Sequence, residues 1–109
     1  MITYCLALDL KNDELLITEY ETWHRQVWPE IIESIKSSGI TNMEVYRAGN
    51  RLFMIMQTTD DFSFQQKSLM DAGNAKVMEW EQLMWNYQQK LPFAKAGEKW
   101  VLMEKIFSM

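Results

Sequence analysis

The segment NMEVYRAGNRLFMIMQT, residues 42–58, predicts the β-hairpin around which the rest of this 109-residue chain can be arranged. Its turn is expected at Ala48–Asn50, because glycine and asparagine readily adopt the backbone conformations that tight hairpin turns require. Its second arm, Leu52–Met56, is continuously apolar, which is typical of a central strand that is buried on both faces. The segment therefore predicts two antiparallel strands in the middle of the chain.

The segment ITYCLALDL, residues 2–10, predicts another strand. One of its faces carries larger apolar side chains, and the other carries small or polar ones such as Cys5 and Ala7. A face with small side chains leaves room for a packed helix or for a cavity. We expect a helix there, since this is the more common arrangement.

A helical pattern follows this first strand. Asn12 or Asp13 is expected to cap its start, and it ends at the SSG of residues 37–39, where glycine suits a helix C-terminus. Pro29 lies inside the pattern, where it removes a backbone hydrogen bond and clashes with the preceding turn. We therefore expect a kink, or two helices that meet, near Arg25–Trp28.

Three further elements are predicted after the hairpin. TDDFSFQQKSLMDAG indicates a short helix that is capped by Thr59 or Asp60, and NAKVMEWEQLMWNYQQKLP indicates a stronger helix that ends before Pro92. KWVLMEKIF is expected to close the chain as a strand. The resulting order, βαββαβ with an extra helical turn, favours a ferredoxin-like α+β fold of the dimeric α/β-barrel type, formed as a single domain by residues 1–109.

The composition favours a second copy of the chain as a partner. Hydrophobic residues make up 48% of the sequence, with nine methionines and five tryptophans, which is many for this length. In the predicted fold the helices cover only one face of the sheet, and a small domain has a high ratio of surface to volume. We therefore expect a homodimer in which a second subunit covers the other face.

The charge pattern limits the other partners and the compartment. The net charge is −4 and basic residues are scattered, which argues against nucleic acid and anionic membranes as partners. No segment has the apolar length of a membrane span or the features of a secretory signal. The single cysteine, Cys5, lies in an apolar strand and is interpreted as a buried residue in a reducing cytoplasm.

The only histidine in the chain, His24, lies among aromatic residues. At 100° per residue it falls within the apolar arc of the first helical pattern, and Tyr20 is one turn before it. A core histidine with a hydrogen-bond partner is the simpler alternative. Burying an imidazole without a partner would cost about 1–3 kcal/mol, so the position requires a specific environment.

The second long helix repeats this arrangement. Glu81, next to Trp80 in the sequence, lies within its apolar arc, between Val77 and Trp85 around the helix, although a carboxylate that reaches solvent from the flank is the common alternative. The lone histidine leaves too few ligands for a metal site, no serine or cysteine is evidently paired with it, and the glycines form no phosphate-binding loop. The remaining kind of chemistry is general acid–base catalysis on a small neutral ligand, because a histidine transfers protons near neutral pH.

The segment YETWHRQVWPEIIESIKSSG resembles the YxxxH…WPE segment of the L-rhamnose mutarotase family. The resemblance continues through NMEVY, RLFMIMQ, EWEQLM and EKIF, and it covers most of the chain. It implies a small cytoplasmic homodimer with a ferredoxin-like fold. It also implies interconversion of the α and β anomers of a 6-deoxy sugar, without a metal or an organic cofactor.

The resemblance also assigns roles to residues. His24 matches the family's proton donor, Tyr20 a sugar-binding tyrosine, and Trp80 the first of two adjacent sugar-binding tryptophans. Glu81 stands at the position of the second tryptophan, and Met43 at that of a sugar-contacting tyrosine. These two replacements concern the choice of sugar, and they make L-fucose a competitor to L-rhamnose because Glu81 can accept hydrogen bonds from hydroxyl groups.

The resulting hypothesis is an aldose mutarotase. The sugar ring opens when its ring oxygen is protonated and the anomeric hydroxyl loses a proton, and it closes again on the other face of the aldehyde. His24 is expected to transfer the proton, with Trp28 and Trp85 as weaker candidates for holding the sugar. A small dimeric α/β-barrel monooxygenase or haem-binding protein is the alternative activity, and a non-catalytic binding module is the alternative to an enzyme.

Overall fold

The computed structural model describes the whole chain, Met1–Met109. None of its helices combines the length and the apolar character that a bilayer-spanning helix requires. The elements follow in the order β1 (Ile2–Leu10), α1 (Glu14–Arg25), α2 (Pro29–Ser37), β2 (Ile40–Ala48), β3 (Arg51–Thr58), α3 (Phe64–Ala72), α4 (Ala75–Trp85), β4 (Gln88–Gln89) and β5 (Val101–Leu102).

The sheet is antiparallel, with the strand order β2-β3-β1 and a fourth position that two short strands share. In this fourth position β4 pairs with Asp9 and Leu10 of β1, while β5 pairs with Leu6 and Ala7. This order is that of a ferredoxin-like α+β fold, and it confirms the predicted fold class.

The closing strand is shorter than predicted. Instead of residues 99–107, only Val101–Leu102 pairs with β1, and the Met103 N–H donates one further hydrogen bond to the Cys5 carbonyl oxygen at 2.7 Å. Since β4 already occupies part of the same edge of β1, no single strand fills it. From Glu104 onward the side chains are exposed.

The helix break at the proline is confirmed. The first helix ends at Arg25 and the second begins with Pro29, a position where the missing N–H of proline costs nothing. Of the two predicted caps it is Asp13 that starts α1, because its carboxylate accepts a hydrogen bond from the Leu16 N–H at 3.1 Å. Gly39 follows α2 with φ +99°, a conformation that favours glycine.

The limits of the last two helices differ from the prediction. Neither Thr59 nor Asp60 caps α3; Ser63 does, since its hydroxyl accepts a hydrogen bond from the Gln66 N–H at 3.2 Å. Helix α4 ends at Trp85, well before Pro92, because the chain next forms β4 beside β1. Pairing with the sheet therefore overrides a helical pattern at this point.

The helices cover the face of the sheet that carries the larger side chains of β1. Leu6 and Leu10 belong to the core clusters, whereas Cys5 and Ala7 point to the opposite face. The expectation that a helix packs on the small side chains is therefore wrong.

Strand β3 alternates between buried and half-buried residues, so in the single chain it is buried on one face and not on both. The hairpin turn at Gly49 is confirmed, with φ +59°.

Candidate active site

A cavity of about 690 Å³ lies between the helices and the covered face of the sheet. Apolar side chains from both layers form most of its wall, and a few polar groups interrupt them, as in most sites for small molecules. The structure brings together in this wall the five main site residues that the sequence predicted. These are Tyr20, His24, Met43, Trp80 and Glu81.

His24 is oriented by the helix on which it lies. Its Nδ1 is 2.9 Å from the backbone carbonyl oxygen of Tyr20, one turn earlier. A carbonyl oxygen only accepts hydrogen bonds, so Nδ1 carries the proton of the neutral ring and donates it to this oxygen. The lone pair of the neutral imidazole is consequently on Nε2.

The surroundings of His24 favour the neutral ring. Its ring centroid lies 4.3 Å from that of Tyr20 and 5.7 Å from that of Trp80. Partial burial lowers the pKa of His24 below its usual value of 6.5, and the hydrogen bond to the Tyr20 carbonyl opposes that shift. The alternative of a buried core histidine is wrong, because His24 is exposed, and it also lines the cavity.

Tyr20 is buried and keeps its phenolic proton. Burial raises its pKa to about 12, a hydrogen bond from Gln88 opposes the shift, and the negative charge of Glu81 adds to it. Gln88 Nε2 donates this hydrogen bond to the Tyr20 hydroxyl oxygen at 3.3 Å. The Tyr20 hydroxyl therefore keeps its proton at every physiological pH.

Two other tryptophans pack against the ring of Trp80. The ring centroid of Trp28 lies 5.1 Å and that of Trp23 6.3 Å from the centroid of Trp80, both in edge-to-face arrangements. Trp23 is itself fixed, because its indole N–H donates to the Tyr87 hydroxyl at 3.1 Å. Trp28 thus packs against Trp80 and does not line the cavity.

The Glu81 carboxylate is paired with a lysine that the sequence did not reveal. Lys99 Nζ lies 2.5 Å from Glu81 Oε2, and both residues line the cavity. Burial lowers the pKa of Lys99, and the charge of Glu81 opposes this shift. The lysine also lies over the ring of Trp85, with Nζ 5.0 Å from the centroid. Trp85 itself is outside the cavity wall.

Two further residues of the cavity wall, Met43 and Gln88, are relevant to function. Met43 lies on β2 directly opposite Met56 of β3 and is half-buried. Gln88, in contrast, was not predicted. It is only 4% exposed, and its Oε1 has no hydrogen-bond partner. Gln88 was missed because its importance depends on β4, a strand of two residues within a segment that has a helical pattern.

The chain is similar to carbohydrate isomerases in sequence and in structure. A family model described as L-rhamnose mutarotase matches residues 3–109. An L-fucose mutarotase of Xanthomonas campestris pv. campestris is 42% identical over 107 residues, which cover 96% of this chain and 86% of that protein.

Two solved structures share the fold. An L-rhamnose mutarotase from Formosa agariphila superposes with a TM-score of 0.73 at 20% identity, covering 100% of this chain and 99% of that one. Tetracenomycin F2 cyclase from Streptomyces glaucescens, a type-II polyketide cyclase, gives a TM-score of 0.61 at 13% identity and covers 100% and 97%. These matches do not favour the alternative activity of a monooxygenase or haem-binding protein over sugar isomerisation.

Proposed function

The chain belongs to the L-rhamnose mutarotase family and is a carbohydrate isomerase that interconverts sugar anomers, and we propose that its substrate is a 6-deoxy-L-hexose, L-fucose in preference to L-rhamnose. The 42% identical relative is named for L-fucose. The presence of a carboxylate, Glu81, beside Trp80 also supports this choice, because a carboxylate distinguishes the orientation of hydroxyl groups more sharply than an apolar ring does.

We propose His24 as the group that transfers protons. In the neutral ring Nε2 accepts the proton of the anomeric hydroxyl, the C1–O5 bond breaks, and the electron pair of the O1–H bond forms the C1=O1 double bond. O1 and O5 are both bonded to C1, so Nε2 can reach both, and the imidazolium then gives its proton to O5. Ring closure on the other face of the aldehyde reverses these steps, and no proton is gained or lost overall.

The other residues are proposed to hold the sugar. The Tyr20 O–H donates to a sugar oxygen, since its raised pKa keeps the proton on the phenol. The face of Trp80 packs against the C–H groups of the ring, and Glu81 accepts hydrogen bonds from hydroxyl groups. The apolar side chain of Met43 suits the methyl group that a 6-deoxy sugar carries in place of a hydroxymethyl group.

We also propose that the enzyme is a cytoplasmic homodimer. In the single chain, Cys5 and the β3 residues Phe53 and Ile55 are only half-buried on the face of the sheet that no helix covers. A second copy placed there would remove this apolar surface from water.

The free thiol of Cys5 suits a reducing compartment such as the cytoplasm. Fractionation of cells that express the tagged chain tests this location.

The observation that carries the proposed catalytic role is the free Nε2 of His24 in a cavity next to a protonated tyrosine and a tryptophan. The test is the rate of anomer exchange, measured by NMR saturation transfer between the α and β signals of L-fucose, L-rhamnose and L-galactose. Faster exchange of L-fucose than of the other two sugars supports the proposal. Equal rates for all three would contradict the proposed substrate.

A further inference from the structure

We propose that Lys99 is a further sugar-binding residue, which forms with Glu81 a donor–acceptor pair that recognises two neighbouring hydroxyl groups of an aldose. The inference rests on the proposed function of the cavity as a sugar site. Lys99 is the new member of this pair, and it sets the specificity of the site in two ways. It binds one hydroxyl group directly, and it holds the carboxylate that binds the other.

The two residues come from distant parts of the chain. Glu81 follows Trp80 on α4, whereas Lys99 lies just before β5, in the segment that returns to the edge of β1. The distance of 2.5 Å between Lys99 Nζ and Glu81 Oε2 brings them together in the cavity wall. The pair therefore places a charged donor and a charged acceptor next to the proposed stacking face of Trp80.

The pair is only partly buried. The Glu81 side chain is 42% exposed and that of Lys99 is 15% exposed. Lys99 is bonded to Oε2, so Oε1 of the carboxylate remains available to accept a hydrogen bond from a ligand. An exposed acceptor that is held by a largely buried cation is what a specificity site requires, since its geometry is fixed before the ligand arrives.

Lys99 has more donors than its partner uses. An ammonium group has three N–H bonds, one of which is directed at Glu81, while the ring of Trp85 lies 5.0 Å from the nitrogen. A further N–H is thus free for a ligand oxygen. The charge of Glu81 also opposes the loss of the lysine proton that burial favours.

A donor next to an acceptor matches two neighbouring sugar hydroxyls. Each hydroxyl group both donates and accepts, so one can donate to Oε1 of Glu81 while the next accepts from Lys99. The match depends on stereochemistry, because inverting one hydroxyl moves it away from its charged partner and leaves that partner unpaired. L-fucose and L-rhamnose differ in the orientation of their ring hydroxyls, and the pair can therefore distinguish them.

The competing explanation is a structural ion pair that ties the segment before β5 to α4. Such a pair would affect thermal stability and leave the choice of sugar unchanged. The exposed pair of Lys76 and Glu79 on the same helix, with Nζ and Oε2 3.4 Å apart, provides a matched control outside the cavity wall.

The experiment compares the full-length wild type with Lys99→Met, Glu81→Gln and the control Lys76→Met. Anomer exchange of L-fucose and L-rhamnose is measured by NMR saturation transfer over a range of sugar concentrations, and unfolding is followed by circular dichroism. We expect Lys99→Met and Glu81→Gln to raise KM for L-fucose, and to reduce the ratio of kcat/KM between the two sugars, by roughly tenfold. Lys76→Met is expected to leave KM and the ratio unchanged.

A lower Tm in Lys99→Met with an unchanged ratio would overturn the proposal, because the pair would then be structural only. If Lys99→Met does not fold, Lys99→Arg decides the question. It keeps the charge but moves the donors, so a changed ratio supports the proposal and a ratio like that of the wild type overturns it. A wild type that does not accelerate anomer exchange of any aldose would overturn the proposed sugar site itself. An active wild type whose variants keep the same sugar preference would overturn only the role of Lys99, so the two failures can be distinguished.

Discussion

The Nδ1 atom of His24 donates a hydrogen bond to the backbone carbonyl oxygen of Tyr20 at 2.9 Å. This single contact joins the two residues of the YxxxH segment in a way that their spacing alone does not specify. It fixes the tautomer of the neutral ring, and so leaves the lone pair on Nε2. Tyr20 lines the same cavity, and its hydroxyl accepts a hydrogen bond from Gln88 Nε2 at 3.3 Å.

The first prediction concerns pH. Burial lowers the pKa of His24 below 6.5, so the neutral ring that accepts the sugar proton predominates at neutral pH. Protonation removes the lone pair on Nε2, and kcat/KM should therefore fall as the pH falls through this lowered pKa and level off above it. Saturation transfer between about pH 5 and pH 8, corrected for the uncatalysed rate, measures the profile. An inflection clearly above 6.5 would be inconsistent with this role for His24.

The second prediction concerns Gln88, which holds the hydroxyl of Tyr20 at 3.3 Å. In Gln88→Leu this hydroxyl loses its fixed orientation, and we expect kcat to fall roughly tenfold. Because the buried Oε1 has no partner in the wild type, its removal should change thermal stability little.

Tyr20→Phe provides the matched comparison for Gln88→Leu. The two substitutions should be strongly non-additive in kcat, since Gln88 acts through the Tyr20 hydroxyl. Anomer-exchange kinetics and thermal unfolding of both single variants and the double variant provide the numbers. Simple additivity of their effects on kcat would show that Gln88 does not position this hydroxyl.

The third prediction concerns the face of the sheet that no helix covers. Ile55→Glu places a charge among half-buried apolar side chains on this face, and we expect it to convert a dimer into monomers. Sedimentation velocity measures the change. Leu15→Glu serves as the control because Leu15 is 68% exposed on α1, so this variant should remain dimeric. A wild type that is monomeric at every concentration would refute the proposed homodimer.

Much of the fold was predictable because its signals are local. Pro29 ends one helix and starts the next by its own geometry, and Gly49 allows the hairpin turn through its positive φ. The limits of α4 and β5 were not predictable, because they depend on which segments share the edge of β1. The alternation along β1 defined two faces correctly, yet it contained no information on which of them the helices cover.

The five predicted site residues line one cavity, but two polar neighbours were missed. His24 and Tyr20 are one helical turn apart, and Trp80 and Glu81 are adjacent, so sequence spacing was sufficient to associate each pair. Lys99 reaches Glu81 from a segment without regular structure, and it was missed because no periodic pattern connects these positions.

The most direct test of the central claim is the rate of anomer exchange of L-fucose in His24→Ala, measured by NMR saturation transfer beside the wild type and Arg25→Ala. Arg25 is an exposed neighbour on the same helix, so its removal controls for local effects on α1. We predict that His24→Ala is slower by roughly 10²- to 10⁴-fold while it remains folded, and that Arg25→Ala matches the wild type. A folded His24→Ala protein that exchanges the anomers as fast as the wild type would contradict proton transfer by His24.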